Sequence, residues 1–511
     1  FQGDKNIPCR EDWETNPLAS LANGYTDTFS STVIAALEFE QGLDFITKGL
    51  SFKALASFKN YSYNATGASA NWNMYHLDSW SLNDGVYEFT TRLNNASAGE
   101  VDTNLNPTVG NSGDRRFYFQ TYFNYARTFG DHEVNAMLLY NQDEKVIHLT
   151  SANLVNALPY RKQGLAGRLS YAYAGKYLAE VNMGYNGSEN FAKGHRWGFF
   201  PSIALGYNIS EEEFFQPLRN VISRLKLRGS WGLVGNDNIG AARFAYMPIV
   251  NMGNLGYTTG IESNTSYYGP SYGRYANLDM TWEVGEKINI GADLQFFNSL
   301  DMTLEFFQEN RRNIFQERTT VPGYIGVTGT SIYGNYAAMK NHGFDLSLNY
   351  NKQFNKDLFV SMKGTFTYAH NEITKIDESP KYDFQSKVGQ SANMNGVLIS
   401  NGLFVSQEEV DAYNQNIGGI LGAGDIKYVD VSGQHGYDDG IVNADDWMWK
   451  GYPTIPEIVY GFGPSIKWKN LDFSFFFQGV ARTSLILSGF HPFGDESLRN
   501  VLKWVDEAVS K

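Results

Sequence analysis

The chain has 511 residues, a net charge of −13, and only 19% charged residues beside 15% aromatics. That acidic balance excludes a nucleic-acid binder built on clustered Lys and Arg, and a single cysteine, Cys9, excludes a disulfide framework and any Cys-based metal cluster. With 51 Gly against 14 Pro, a mean hydropathy of −0.36 and no run of about 18 apolar residues, the chain favours strands and turns and lacks a spanning helix.

Residue 1 is Phe, and no charged segment followed by an apolar core opens the chain, so the sequence is expected to begin inside a longer precursor. From there on, alternation with period two dominates. Phe117, Phe119, Phe123 and Tyr125 alternate with Gln120, Tyr122 and Asn124. Residues 177–185 follow the same rule, with Glu180 and Asn182 on the polar side. In 225–233, Leu225, Leu227, Trp231 and Leu233 share one face while Lys226, Arg228 and Ser230 share the other. Residues 288–296, 344–350, 360–368 and 471–477 repeat the pattern. About sixteen such segments are recognisable, each near the ~10 residues that a tilted strand needs to cross a bilayer. Leu498, Val501, Leu502, Val505 and Val509 then share a helical face, an ending unlike the final strand expected of a closed barrel.

Connection lengths are a second signal. Very short turns are expected at 128–131, 174–176, 298–300 and 469–470, and long loops at 62–86, 95–113, 187–199, 235–280, 309–341 and 370–456. Short turns at one end and long loops at the other are the layout of bacterial outer-membrane barrels. No Pro/Ser linker or low-complexity tract divides the sequence, so 1–511 reads as one domain. A soluble β-sandwich also alternates, because one sheet face is solvated. Aromatics at strand ends (Tyr171, Tyr173, Trp231, Trp468) favour the barrel, whose interfacial girdles want amphipathic rings.

Several phrases resemble the SusC/RagA family of TonB-dependent outer-membrane transporters. They are Arg168–Tyr171 with Lys176–Leu178, Pro201–Glu212, Leu225–Gly232, Gly235–Gly240, Asn277–Glu283 (Leu278 standing where Pro is usual), Lys340–Leu346 and Gly424–Asp430. The resemblance implies an all-β fold, a large antiparallel transmembrane β-barrel of about 22 strands with long extracellular loops, of which this chain is an incomplete portion without the N-terminal plug. It implies the outer membrane of a Gram-negative bacterium, TonB acting through the missing N-terminal region, and a SusD-type surface lipoprotein as lid. It also implies an oligosaccharide or peptide as solute and a dimer of transporter–lipoprotein pairs. A passive porin or adhesin, and a soluble glycan hydrolase or lectin, are the competing classes. The importer alone requires a plug and TonB box upstream.

Loop aromatics are the candidate contacts for solute or lid: Trp72, Tyr75, Trp80, Tyr257, Tyr267, Tyr268, Tyr272 and Tyr275. Rings beside Asn, Ser and Asp suit sugars, although loop aromatics also dominate protein interfaces. Asp430, Asp439 and Asp446 form a broken version of a calcium loop, interrupted by about five residues including His435 and Tyr437. Ca2+ there competes with a solvated acidic turn. The carboxylate pairs at Glu211–Glu213 and Glu408–Glu409 sit in capping-box settings, Ser210-x-x-Glu213 and Ser406-x-x-Glu409. No catalytic motif is present, so an enzyme is not expected. His132 and His370 are expected to be exposed near turns.

Overall fold

The computed structural model describes residues 6–9, 21, 24–70, 73–93, 105–148, 158–240, 243–325, 330–432 and 438–486. Trp72 and the helical pattern at 498–509 lie outside the described residues. Two compact units divide the chain: residues 1–42, 52–122 and 139–163, and residues 43–51, 123–138 and 164–511.

The strands of the first unit are β1 (Asn6–Cys9), β2 (Gly24–Gly42), β3 (Leu50–Ser69), β4 (Asn73–Asn83), β5 (Val86–Leu93), β6 (Asn106–Phe129) and β7 (His132–His148), some of which run on into the second. β2, β3, β6 and β7 neighbour one another in that order, while β1, β4 and β5 form a separate three-stranded sheet. The region 62–86, expected as a loop, is therefore largely strand: β3 continues to Ser69 and β4 turns into β5 at Asp84-Gly85. β6 likewise starts at Asn106, inside the expected loop 95–113.

The second unit continues with β8 (Tyr160–Tyr173), β9 (Tyr177–Ser188), β10 (Trp197–Asn208), β11 (Ile222–Asn236), β12 (Ile249–Thr259), β13 (Thr265–Arg274), β14 (Glu283–Phe296), β15 (Leu300–Glu317), β16 (Tyr333–Asn355) and β17 (Leu358–Lys375). After short β18 (Gly396–Val397), β19 (Ser400–Leu403), β20 (Ile426–Tyr428) and β21 (Met448–Trp449) come β22 (Ile458–Trp468), β23 (Leu471–Ser474) and β24 (Phe477–Ala481). β9, β10, β11, β14, β15, β16, β17 and β22 pair antiparallel, each with the next. β23 and β24 both pair with β22, in one register. Trp468 faces Leu471 and Ile458 faces Ala481, ten residues further along on both sides, so they are one strand interrupted at Phe475-Phe476.

The tight turns fall where the sequence places them. Gly130 (φ 60°) serves β6–β7, Ala174 and Gly175 (φ 51° and 68°) β8–β9, Phe297 and Asn298 (φ 51° and 53°) β14–β15, and Lys469 (φ 53°) β22–β23. At Ala174-Gly175 and Phe297-Asn298 both central positions are left-handed, the geometry of a tight hairpin turn whose twist matches that of the strands.

Cross-strand register carries the alternation from strand to strand. Ile290 stands opposite Gly229 and Phe306, Phe306 opposite Phe344, and Phe344 opposite Tyr368. Phe366 is opposite Tyr460 and Phe462 opposite Phe477. On this face large apolar side chains are exposed: Leu205 59%, Ile290 61%, Phe306 55% and Phe473 61%. On β6, Phe117 and Phe123 are exposed on the expected apolar side, and Arg116, Tyr118 and Gln120 make polar contacts on the other. A soluble sheet buries its apolar face; these strands expose it and hold the Arg228, Arg168 and Arg116 ion pairs on the opposite one.

Candidate functional site

The polar face of the second unit is a ladder of fixed charge. Arg228 on β11 reaches across two strands: its Nε donates to Asp293 Oδ2 of β14 (3.2 Å) and its Nη1 to Glu305 Oε1 of β15 (2.5 Å). Thr303 Oγ1 donates to the other oxygen of Asp293 (3.1 Å). Arg168 and Asn182 both bond Glu180, and Arg224 and Gln295 both bond Asp301. In the first unit, taken by itself, Arg116 is bidentate on Asp143 (2.6 and 2.7 Å) and Lys53 pairs with Glu40 (2.8 Å). Sequence reasoning placed Lys226, Arg228 and Glu180 on the polar side, but Glu305, the second partner of Arg228, went unnoticed. The register, Gly291 opposite both Arg228 and Glu305, leaves the space through which the guanidinium reaches.

Where β9–β11 and β14 end, their connections are gathered by a buried cluster of Phe191, Ile239, Ala245, Met280 and Trp282. Trp282 Nε1 donates to the Arg196 carbonyl (3.1 Å), and Ser188 Oγ donates to buried Asp237 (2.7 Å). Arg243 pairs with Glu189 (2.5 Å), and buried Arg274 caps the carbonyls of Met247 and Phe244 (2.9 and 3.1 Å). Asn277 and Asn335 tie the 277–282 segment to β16. The phrases Gly235–Gly240 and Asn277–Glu283 thus supply a structural anchor for the loop that carries the tyrosines.

That loop is the β12–β13 hairpin, where sequence alone predicted an unstructured connection. Tyr257 stacks on Tyr267 (4.8 Å, 13°) and Tyr272 on Tyr275 (4.8 Å, 19°). Tyr268 is 70% exposed. Four of the five tyrosines therefore share one ring face with each other, while Tyr257, Tyr267 and Tyr272 still expose their outer surfaces. In the first unit, Trp80 is exposed on β4 with Tyr87 beside it (5.7 Å), and Tyr75 is half-buried opposite Leu93.

The connection from β17 to β22 is built around a helix, Gln407–Ala412, and two small ribbons, β18–β21 and β19–β20. Ser406 Oγ accepts the Glu409 N–H (3.3 Å), one half of the expected capping box, while the Glu409 carboxylate accepts from the N–H of Val405 (2.8 Å), one residue before the cap. The Ser210 expectation is corrected: Ser210 lies inside a 3-10 turn, buried, and its carbonyl accepts from Arg219. Glu212 next to it binds Lys176 (2.9 Å) and Tyr177 (2.8 Å); hydrogen bonds from these two hold its carboxyl below the usual range.

The three aspartates of the proposed calcium loop are not gathered as ligands. Asp446 is fully buried, and its oxygens accept the N–H groups of Val431 and Ser432 (2.8 Å each) and Asn443 (2.6 Å). Asp430 accepts from the N–H groups of Asp439 and Gly440. Asp446 and Asp430 are thus engaged by backbone donors, and among the described residues no group of three or more His, Cys, Asp or Glu is placed to hold a metal. His435 and Tyr437 lie outside the described residues.

Two further anchors were missed because their partners are far apart in sequence. Asp377 accepts from Thr319 N (2.9 Å) and Thr320 Oγ1 (2.7 Å), pinning the end of β15 to the end of β17. His370 is half-buried, correcting the exposed expectation, with Nδ1 2.5 Å from buried Glu457, which also pairs with Arg482 (2.7 Å). His132 is exposed as expected and lies against Tyr171 and Tyr173.

Residues 12–477 match the family model described as TonB dependent receptor-like, beta-barrel. The chain is 29% identical over 322 residues to the TonB-dependent receptor SusC of Bacteroides thetaiotaomicron, covering 60% of this chain and 30% of that receptor. It is 31% identical over 334 residues to the TonB-dependent receptor P26 of Formosa agariphila, covering 61% of this chain and 31% of that protein. The chain thus spans about a third of the length of these curated relatives. In fold it is similar to the RagAB peptide importer in its closed-closed state, with a TM-score of 0.63 at 19% identity over 90% of this chain and 48% of that one.

Proposed function

The chain belongs to the TonB dependent receptor-like β-barrel family, an outer-membrane family of receptors rather than enzymes, and from that premise we propose that it forms wall and loops of an active importer. The solute in this reading is bulky and polar, an oligosaccharide, and it crosses the outer membrane with energy delivered by TonB to a plug domain. A SusD-type surface lipoprotein closes the mouth. The observation that carries the reading is the two-faced strand wall: an exposed apolar face towards the bilayer, and behind it the charges of Arg228, Asp293 and Glu305. A wet interior lined by fixed charge suits a hydrated solute, whereas a sealed core would be apolar. The tyrosine hairpin supports the sugar class, since its exposed ring surfaces stand among Asn251, Asn254 and Ser271.

Uptake tests this proposal. Cells carrying the full-length gene, with and without its TonB box, would be supplied with oligosaccharides or peptides as sole nutrient. Loss of growth on an oligosaccharide without the box, with binding retained, is expected. Growth unchanged by the deletion would make the wall a passive pore, and box-dependent growth on peptides alone would replace the solute class.

A further inference from the structure

On the bilayer-facing side, the apolar band is not level. A depression of about 610 Å³ crosses β8–β11 and β14, lined by Tyr177, Leu205, Tyr207, Leu227, Gly229 and Ile290 among others. Its cause is local. Gly229 presents no side chain, and its neighbours across the sheet, Leu205 and Ile290, stand up on either side. Adjacent strands are ~4.8 Å apart, so these walls rise from backbones roughly 10 Å apart. Arg228 also borders the depression, but its guanidinium is committed to Asp293 and Glu305 on the opposite face. The floor and walls are therefore hydrocarbon.

The lower end opens at a ring of tyrosines. Tyr177 stacks on Tyr207 (5.1 Å), Tyr173 is next to Tyr177 (6.4 Å), and the Tyr177 hydroxyl donates to Glu212 beside Lys176. This is the short-turn end of the strands, which in such barrels faces the periplasm. Phe214, 70% exposed, and Leu218, 52% exposed, stand in the connection just below. Amphipathic rings above an apolar rim mark the headgroup level of the inner leaflet.

We propose that this groove is a site for one acyl chain of an inner-leaflet glycerophospholipid, held between Leu205 and Ile290 over Gly229 with its headgroup at the Tyr177–Tyr207 ring. The groove is continuous with the surface that the bilayer already covers, it offers no polar group to a partner's backbone, and its width suits an unbranched chain. The inference rests on the membrane-facing side of the wall and is independent of what the protein imports.

Gly229 supplies the test. A Cβ built there meets nothing nearer than the Asn289 carbonyl oxygen at 3.9 Å, so Gly229→Leu enters the groove with no clash at its Cβ. Gly364 is the control: it lies on the same face of β17, away from the groove, with Leu348 Cβ at 3.7 Å. The full-length protein would be purified in detergent, titrated with phosphatidylethanolamine and followed by native mass spectrometry. The wild type and Gly364→Leu are expected to keep one lipid that survives collisional activation, and Gly229→Leu to lose it at least tenfold. Equal retention by Gly229→Leu overturns the proposal. So does a shift from dimer to monomer at constant lipid, which would make a second copy the occupant. Should Gly229→Leu fail to assemble, the pair Leu205→Ala and Ile290→Ala lowers both walls instead, and unchanged retention there has the same meaning.

Discussion

Asp446 shows how a carboxylate in an acidic loop can be structural. Three backbone N–H groups and full burial fix it. Burial alone would raise its pKa, but the bonds from Asn443, Val431 and Ser432 outweigh that and hold it below the usual range. Asp377 is depressed in the same way: burial opposes, while Thr320 and Thr319 stabilise the anion. A depressed carboxylate means that the unfolded loop binds more protons than the folded one as the medium is acidified. Its contribution is present above the ordinary value of about 3.9 and is lost as pH falls through the lower folded value. Asp446→Ala leaves buried N–H groups unpaired, at a cost of about 1–3 kcal/mol confined to the 430–446 loop. Limited proteolysis at neutral pH should show faster cleavage there in the variant, equally with calcium or with chelator. Protection that appears only with calcium would restore the ion reading.

At the scale of elements, alternation was legible wherever one face meets lipid, as in 177–185, 225–233 and 288–296, and the tight turns were legible from Gly and Asn. Strand length was not. β3 runs to Ser69, β6 begins at Asn106 and β16 at Tyr333, all inside segments read as loops. Beyond the bilayer both faces of a strand are wetted, so hydrogen-bonded pairing persists while the apolar periodicity that reveals it stops. The β12–β13 hairpin escaped for the same reason: its tyrosines sit on both sides and stack along the surface. Of the site, the residue types were readable and their partners were not, because Arg228 with Glu305, or Asp377 with Thr320, meet only through register and loop closure. The two faces can be told apart by charge. Phe123→Lys puts an ammonium on the apolar face about midway along the membrane-crossing part of β6, where Lys costs about 2–4 kcal/mol. Asn124→Lys, on the polar face, should be mild. Refolding into lipid vesicles under denaturant would measure both, and equal penalties would contradict the facing assigned here.

For the whole molecule, the proposed lid needs a surface to close upon, and the tyrosine hairpin offers an anchored one. It stands on the buried Phe191–Met280–Trp282 cluster, with Arg274 closing its base. A platform fixed in this way loses little freedom when something settles on it, so its contacts convert into affinity more fully than those of a loose loop. A lid spanning several such loops would bury well beyond the ~1,600 Å² of a standard interface. Replacing residues 251–272 by a short Gly-Ser turn keeps Arg274 and the cluster intact and removes only the platform. If the hairpin touches the lid, co-purification of the surface lipoprotein should weaken while the barrel still assembles. If it touches the solute, the lipoprotein should remain and solute binding should fall. Tyr268→Ala, the most exposed of the five rings, refines the outcome, since a stacking contact with a sugar is lost with that one ring whereas a broad protein interface tolerates it. Neither complex nor solute binding changing in the shortened protein would remove the hairpin from the import site and return the solute question to the β4–β5 hairpin and the connection from β17 to β22.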